Sequence, residues 1–130
     1  MNDQRRIRVL NVNDNLAARY VVTKMLRQGG FEVAEADDGT TCLSVARSWS
    51  PDVVVLDVKL PDVDGFEVCR QLKGDATTSS IKIIHTSATF VTLEKRQRGY
   101  DAGADGYLTQ PFESQDLTTA VKSLARLRET

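Results

Sequence analysis

Five short runs marked by β-branched or aromatic residues, at 7–12, 31–35, 52–57, 81–86 and 106–109, alternate with segments whose apolar residues recur at helical spacing. Parallel strands joined by crossover helices produce this alternation, because each strand must be followed by a return over the sheet before the next can start in the same direction. Val53-Val54-Val55-Leu56 is apolar without a break, as a strand covered on both faces should be. Between the runs, Ala18, Val21, Val22 and Met25 keep the i, i+3, i+4, i+7 spacing of one helical face. Cys42, Val45, Ala46 and Trp49 repeat it, as do Leu117, Ala120, Val121 and Leu124, while Val68, Cys69 and Leu72 mark a shorter helix. The segment 90–102 has a poor apolar stripe, with Glu94, Lys95, Arg96 and Arg98 interspersed, and suits a surface that meets partners transiently. Gly29-Gly30, Ser50-Pro51 and Gly103 fall where helices should stop. An α/β fold with a parallel sheet is expected, in one domain spanning 1–130.

A chain of 130 residues buries a core without disulfide or metal staples. Its 17 basic residues nearly cancel its 18 acidic ones, and the one basic cluster is Arg5-Arg6-Ile7-Arg8, so nucleic-acid binding by this domain is not expected. No apolar run approaches the roughly 18 residues of a membrane span, and residues 1–8 lack a signal peptide's apolar core. A cytoplasmic location with no membrane contact is therefore expected. Cys42 and Cys69 sit on apolar helical stripes and are expected to be reduced core thiols. Trp49 and His85, the latter inside a strand run and without a second histidine, are expected to pack.

In open parallel sheets ligands bind beyond the carboxyl ends of the strands. The first run delivers Asn13 and Asp14 there, the third Asp57, the fourth Ser87, and the fifth Gln110 followed by Pro111. Each has a plainer use alone: Asp14 or Asn15 as cap of the first helix, Ser87 as cap of the fourth, Asp57 as acceptor for loop amides. Together, two acids and an amide form an oxygen-rich set of the kind that holds Mg²⁺. Without a cation Asp14 and Asp57 would raise each other's pKa. A carboxylate beside Mg²⁺, on a rigid strand end, is a competent nucleophile toward phosphorus.

These residues resemble the receiver domain of two-component response regulators. The resemblance rests on VLNVNDN at 9–15, on Asp57 followed by LPDVDG at 60–65, on TSA at 86–88 and on GADGYLTQPF at 103–112. It implies a flavodoxin-like, doubly wound five-stranded parallel sheet of order 2-1-3-4-5. It further implies an aspartyl phosphate on Asp57, Mg²⁺ held by Asp14, Asp57 and the Lys59 backbone carbonyl, and a hydroxyl, Ser87, bonded to the phosphoryl group. Tyr107 matches the aromatic position whose ring reorients when that hydroxyl moves, and Gln110-Pro111 matches a cis peptide. The chain is then a phosphoacceptor signalling domain rather than an enzyme acting on an external substrate.

Two positions depart from the family. Asn13 stands where a second acid is usual, and Gln110 where a lysine is usual. Three acids with one lysine sum to minus two, as do two acids with none, so attraction for Mg²⁺ is expected to survive. A neutral amide bonds roughly half as strongly as an ammonium. Lys59, two residues past Asp57, is a candidate substitute cation. The implied partners are a sensor histidine kinase or a phosphotransfer protein, with kinase domains in a longer parent chain, or a stand-alone regulator, as alternatives and a homodimer as a further association. A degenerate receiver binding partners without phosphorylation is the competing reading.

Overall fold

A computed structural model describes residues 5–87 and 92–129. Ala88 of the TSA motif and Phe90 of the predicted fourth helical segment lie outside the described residues. The elements are β1 (Arg8–Val12), α1 (Leu16–Gln28), β2 (Glu32–Ala36), α2 (Gly39–Trp49), β3 (Val53–Asp57), α3 (Gly65–Gly74), β4 (Lys82–Ser87), α4 (Leu93–Asp101), β5 (Gly106–Thr109) and α5 (Ser114–Glu129). All strand pairs are parallel, in the order β2-β1-β3-β4-β5. The expected fold and strand order are both present. β2 and β4 each end one residue later than their sequence limits, because pairing continues through Ala36 opposite Val12 and through Ser87 opposite Thr109.

Side chains alternate across the strands and so build two cores. Leu10, Val12, Val54, Leu56 and Ile83 face α2 and α3, meeting Cys42, Ala46, Val68, Cys69 and Leu72. Val9, Val53, Val55 and Ile84 face α1 and α5, meeting Val22, Leu26, Leu117, Val121 and Ala125. Each fully buried leucine contributes about 1.5–3 kcal/mol relative to exposure, so these layers fix the strand ends in space. Both cysteines are free and buried, and burial pushes their thiols up, to about 12 for Cys42 and about 11 for Cys69.

Helix ends follow local chemistry. Asn15 caps α1 by accepting from the Ala18 amide at 2.9 Å. Ser50, at φ 54°, and Gly103, at φ 106°, turn the chain after α2 and α4 in the left-handed region. The fourth helix is capped by Thr92, not by Ser87, which stays in β4. One sequence expectation fails in α1, where Val21 is 49% exposed although it was placed on the packing face. Val22 and Leu26 point at the sheet and Thr23 reaches Asn11, which leaves Val21 on the flank of the stripe.

Candidate functional site

The order β2-β1-β3 makes the chain leave β1 and β3 toward opposite sides, which opens a crevice between their carboxyl ends. Asn13, Asp14 and Asp57 stand at that crevice, and the β3–β4 pairing sets Asp57 opposite Thr86, one residue before Ser87. Ser87 closes β4, and its carbonyl accepts from the Gln110 amide at 2.8 Å, which ties the end of β5 to the same edge. The Gln110–Pro111 peptide is cis.

Asp57 is half-buried on top of four buried strand residues. Burial raises its carboxyl pKa most, the charge of Asp14 adds to the rise, and the amides of Lys59 and Val58 with the Lys59 charge oppose it. The Lys59 amide donates to Asp57 Oδ1 at 3.2 Å. The two acids are thus electrostatic neighbours, and the Lys59 side chain is the cation that acts on the pair's buried member. Among the described residues no group of three or more His, Cys, Asp or Glu side chains is placed to hold a metal ion, so the carboxylates here stop at two. Two carboxylates close enough for the charge of one to act on the other are hard oxygen donors that fit a divalent cation of the Mg²⁺ type.

Asn13 is 6% exposed and has a second use. Its Oδ1 accepts from the Asn15 amide at 2.9 Å and shapes the turn into α1. The Gln110 side chain makes no hydrogen bond with another described residue; Gln110 borders a groove of about 400 Å³ together with Ala18, Val21, Val22, Met25, Pro111 and Phe112. Tyr107 is turned inward, 9% exposed, with a buried hydroxyl that lacks a well-formed hydrogen bond. Burial raises its phenol pKa, and the neighbouring Ser87 hydroxyl is close enough to oppose that rise. The site residues named from the sequence therefore share one edge, with Gln110 at its rim.

The pattern of response regulator receiver domains matches residues 9–122. The chain belongs to this family. This receiver domain is 37% identical over 119 residues to the DNA-binding dual master transcriptional regulator RpaA of Synechocystis, covering 92% of this chain and 49% of RpaA. It spans about half the length of the curated relatives it matches. A CheY-like receiver domain protein from Methanospirillum hungatei superposes with a TM-score of 0.87 at 26% identity, over 96% of this chain and 98% of that one. The receiver domain of the sensor histidine kinase PA1611 from Pseudomonas aeruginosa, whose structure has a magnesium ion coordinated in the active-site cleft, superposes with a TM-score of 0.85 at 25% identity, over 94% and 99%.

Around the receiver site the structure adds residues to which sequence reasoning gave no role. Asp62 accepts from the Gly39 amide at 2.8 Å and from the Thr40 amide and hydroxyl at 2.9 and 2.8 Å. These bonds hold its carboxyl well below the usual range and staple the loop after Asp57 to the start of α2. Asp64 caps α3 through the Phe66 amide at 2.7 Å and pairs with Arg98 of α4 at 3.1 Å. α4 has Gly99 as its buried residue, set against Phe66, His85 and Tyr107. Arg96 lies 5.7 Å from the Tyr107 ring centroid and Arg98 lies 4.9 Å from that of Phe66, so cation–π contacts hold α4 where apolar packing is thin. Asp62 and Asp64 lie inside the matched motif; the cap that Asp64 makes on α3 is local, but Gly39, Thr40 and Arg98 are remote in sequence and leave no local signal.

His85 is 0% exposed, as its place inside a strand predicts. Its Nδ1 lies 3.2 Å from the Leu56 carbonyl, its Nε2 is buried without a partner, and burial depresses its pKa to about 4. It packs edge-on against Phe66, 5.0 Å between centroids.

Proposed function

We propose that this receiver domain accepts a phosphoryl group on Asp57 from the phosphohistidine of a sensor kinase or phosphotransfer protein, and that it works in the cytoplasm as a switch rather than as an enzyme with turnover. The observation that carries the reading is the half-buried Asp57 carboxylate, raised in pKa by burial and by Asp14 at the carboxyl edge of the sheet. Asp14, Asp57 and the Lys59 carbonyl would hold Mg²⁺, with Asn13 beside them, and Mg²⁺ there supplies positive charge that offsets the negative charge of the transferred group. An Asp57 carboxylate oxygen attacks phosphorus, the P–N bond to the donor imidazole breaks, and the electron pair leaves with the imidazole, which takes up a proton. β3 holds the attacking oxygen, the Lys59 amide steadies it, and Ser87 offers a hydroxyl to the phosphoryl oxygens. Tyr107, already beside Ser87, and α4, held by Arg96 and Arg98, are the elements that respond.

Leu16, Tyr20 and Val21 are 71%, 65% and 49% exposed on α1 next to the groove that reaches Pro111 and Phe112. This apolar flank borders the site and suits the phosphodonor protein, which must come within bonding distance of Asp57. The reading is tested by intact mass after treatment with acetyl phosphate and Mg²⁺. A gain of one phosphoryl group that vanishes in Asp57→Asn supports it; no gain even with a cognate kinase leaves an interaction module and overturns it.

A further inference from the structure

Asn11 lies inside β1, one residue from its end, at 1% exposure, where an apolar residue would fill the same space without needing a partner. Its Nδ2 donates to the Arg19 carbonyl at 3.0 Å and to Thr23 Oγ1 at 2.9 Å. The Thr23 hydroxyl donates to Glu35 Oε2 at 2.5 Å, and the other Glu35 oxygen lies 3.6 Å from Arg19 Nε. Arg19 carries the network onward by donating from Nη1 to the Asn13 carbonyl at 2.8 Å. The network therefore begins inside β1, crosses α1 to β2, and ends on the residue before Asp14.

Asp14 makes no hydrogen bond of its own among the described residues, so the backbone around it sets its direction. Asn13 is fixed by its amide on the Ala36 carbonyl at 3.1 Å, by its Oδ1 on the Asn15 amide, and by its carbonyl on Arg19. The Arg19 side chain is 15% exposed and its bond to Asn13 is charge-assisted, which makes it the strong member of the three. Glu35 is 40% exposed, so its ion pair matters as a rest for the guanidinium more than as a source of energy.

We propose that Arg19 is a positioning residue for the cation site, holding the β1–α1 loop so that the Asp14 carboxylate is turned toward Asp57 before any cation arrives. This inference rests on the phosphoacceptor reading. Groups that orient a ligand from behind typically change metal affinity about 10–100-fold when removed. Arg19→Met keeps the aliphatic stem, Thr23→Val keeps the shape and removes the relay, and Arg27→Met controls for loss of a charge elsewhere on α1.

The test is the Mg²⁺ dissociation constant of the folded protein by calorimetry, joined to amide exchange at Asn15 in metal-free protein. Arg19→Met should weaken Mg²⁺ at least tenfold and speed Asn15 exchange severalfold, while leaving the exchange of Leu10 and Val54 unchanged. Thr23→Val should shift both in the same direction by less, and stands in if Arg19→Met does not fold; Arg27→Met should stay within twofold of the parent. Parent-like Mg²⁺ affinity in the Arg19 and Thr23 variants overturns the inference alone. A parent that binds no Mg²⁺ overturns the phosphoacceptor reading and this inference with it.

Discussion

A β-carbon placed on Gly65 would lie 2.4 Å from the carbonyl oxygen of Asp57 and 2.7 Å from Cα of Val58. The first residue of α3 thus rests directly on the backbone that presents the phosphoacceptor, and its amide donates to the Val58 carbonyl at 3.0 Å. The neighbours are backbone, which cannot swing aside. Gly65→Ala should cost about 1–3 kcal/mol, the range for overfilling a packed site, and should weaken Mg²⁺ binding by moving the loop. Urea denaturation and Mg²⁺ titration measure both, and an unchanged urea midpoint would show that the contact yields.

Removing the Asp57 charge should stabilise the metal-free protein. An acid whose pKa is raised by folding favours the unfolded state once pH exceeds its unfolded value of 3.8, and the loss grows until pH passes the folded value. Asp57→Asn should therefore melt above the parent at pH 7 without Mg²⁺, and added Mg²⁺ should raise the parent more than the variant. A lower melting temperature for Asp57→Asn would contradict this electrostatic account.

His85 works in the opposite sense. With a folded pKa of about 4 against 6.5, the unfolded chain binds the extra proton between these values, so stability falls as pH drops from about 6.5 toward 4. The slope is at most about 1.4 kcal/mol per pH unit. His85→Met should flatten the difference between urea midpoints at pH 7 and pH 5. Parallel curves for parent and variant would mean that the ring is not held neutral.

Charge on the α1 flank should separate docking from chemistry. Tyr20→Asp and Val21→Asp alter exposed side chains outside the acidic pair, so phosphorylation by acetyl phosphate should stay within twofold of the parent. Transfer from a histidine-phosphorylated protein donor should slow by about tenfold or more, since about 1.4 kcal/mol of lost contact is enough. Equal slowing with both donors would place the effect in the site instead.

Lys59 lowers the Asp57 pKa by its charge, in a site where Gln110 brings none. Lys59→Ala should slow acetyl phosphate labelling two- to fivefold, as loss of up to about 1 kcal/mol would. Adding Gln110→Lys to that variant should restore the rate. A rate for Lys59→Ala equal to the parent's would remove Lys59 from the reaction.

The parts read correctly from the sequence are those governed by local or periodic rules. Val53 to Leu56 could be assigned to a strand buried on both faces because no polar residue interrupts them, and Gly29-Gly30, Ser50-Pro51 and Gly103 end their helices through glycine and proline backbone rules that act within a residue or two. Val21 was misplaced because a spacing rule defines a stripe only to within one residue, and which edge faces the sheet depends on what the sheet offers. Here Asn11 draws Thr23 inward and turns the stripe. The one available hint of that network was Asn11, set among the apolar Val9, Leu10 and Val12 of β1.

Alternation and motif order in the chain decided the α/β class, the parallel sheet and the candidates Asp14, Asp57, Ser87 and Tyr107, since strand ends and polar loops are written residue by residue. Tertiary structure alone decided that Arg19 holds the Asn13 carbonyl, that Asp62 staples its loop to α2, and that α4 hangs on two arginines over aromatic rings. Those contacts join residues whose separation in sequence has no periodic meaning, and they arise only when the sheet brings its strand ends to one edge.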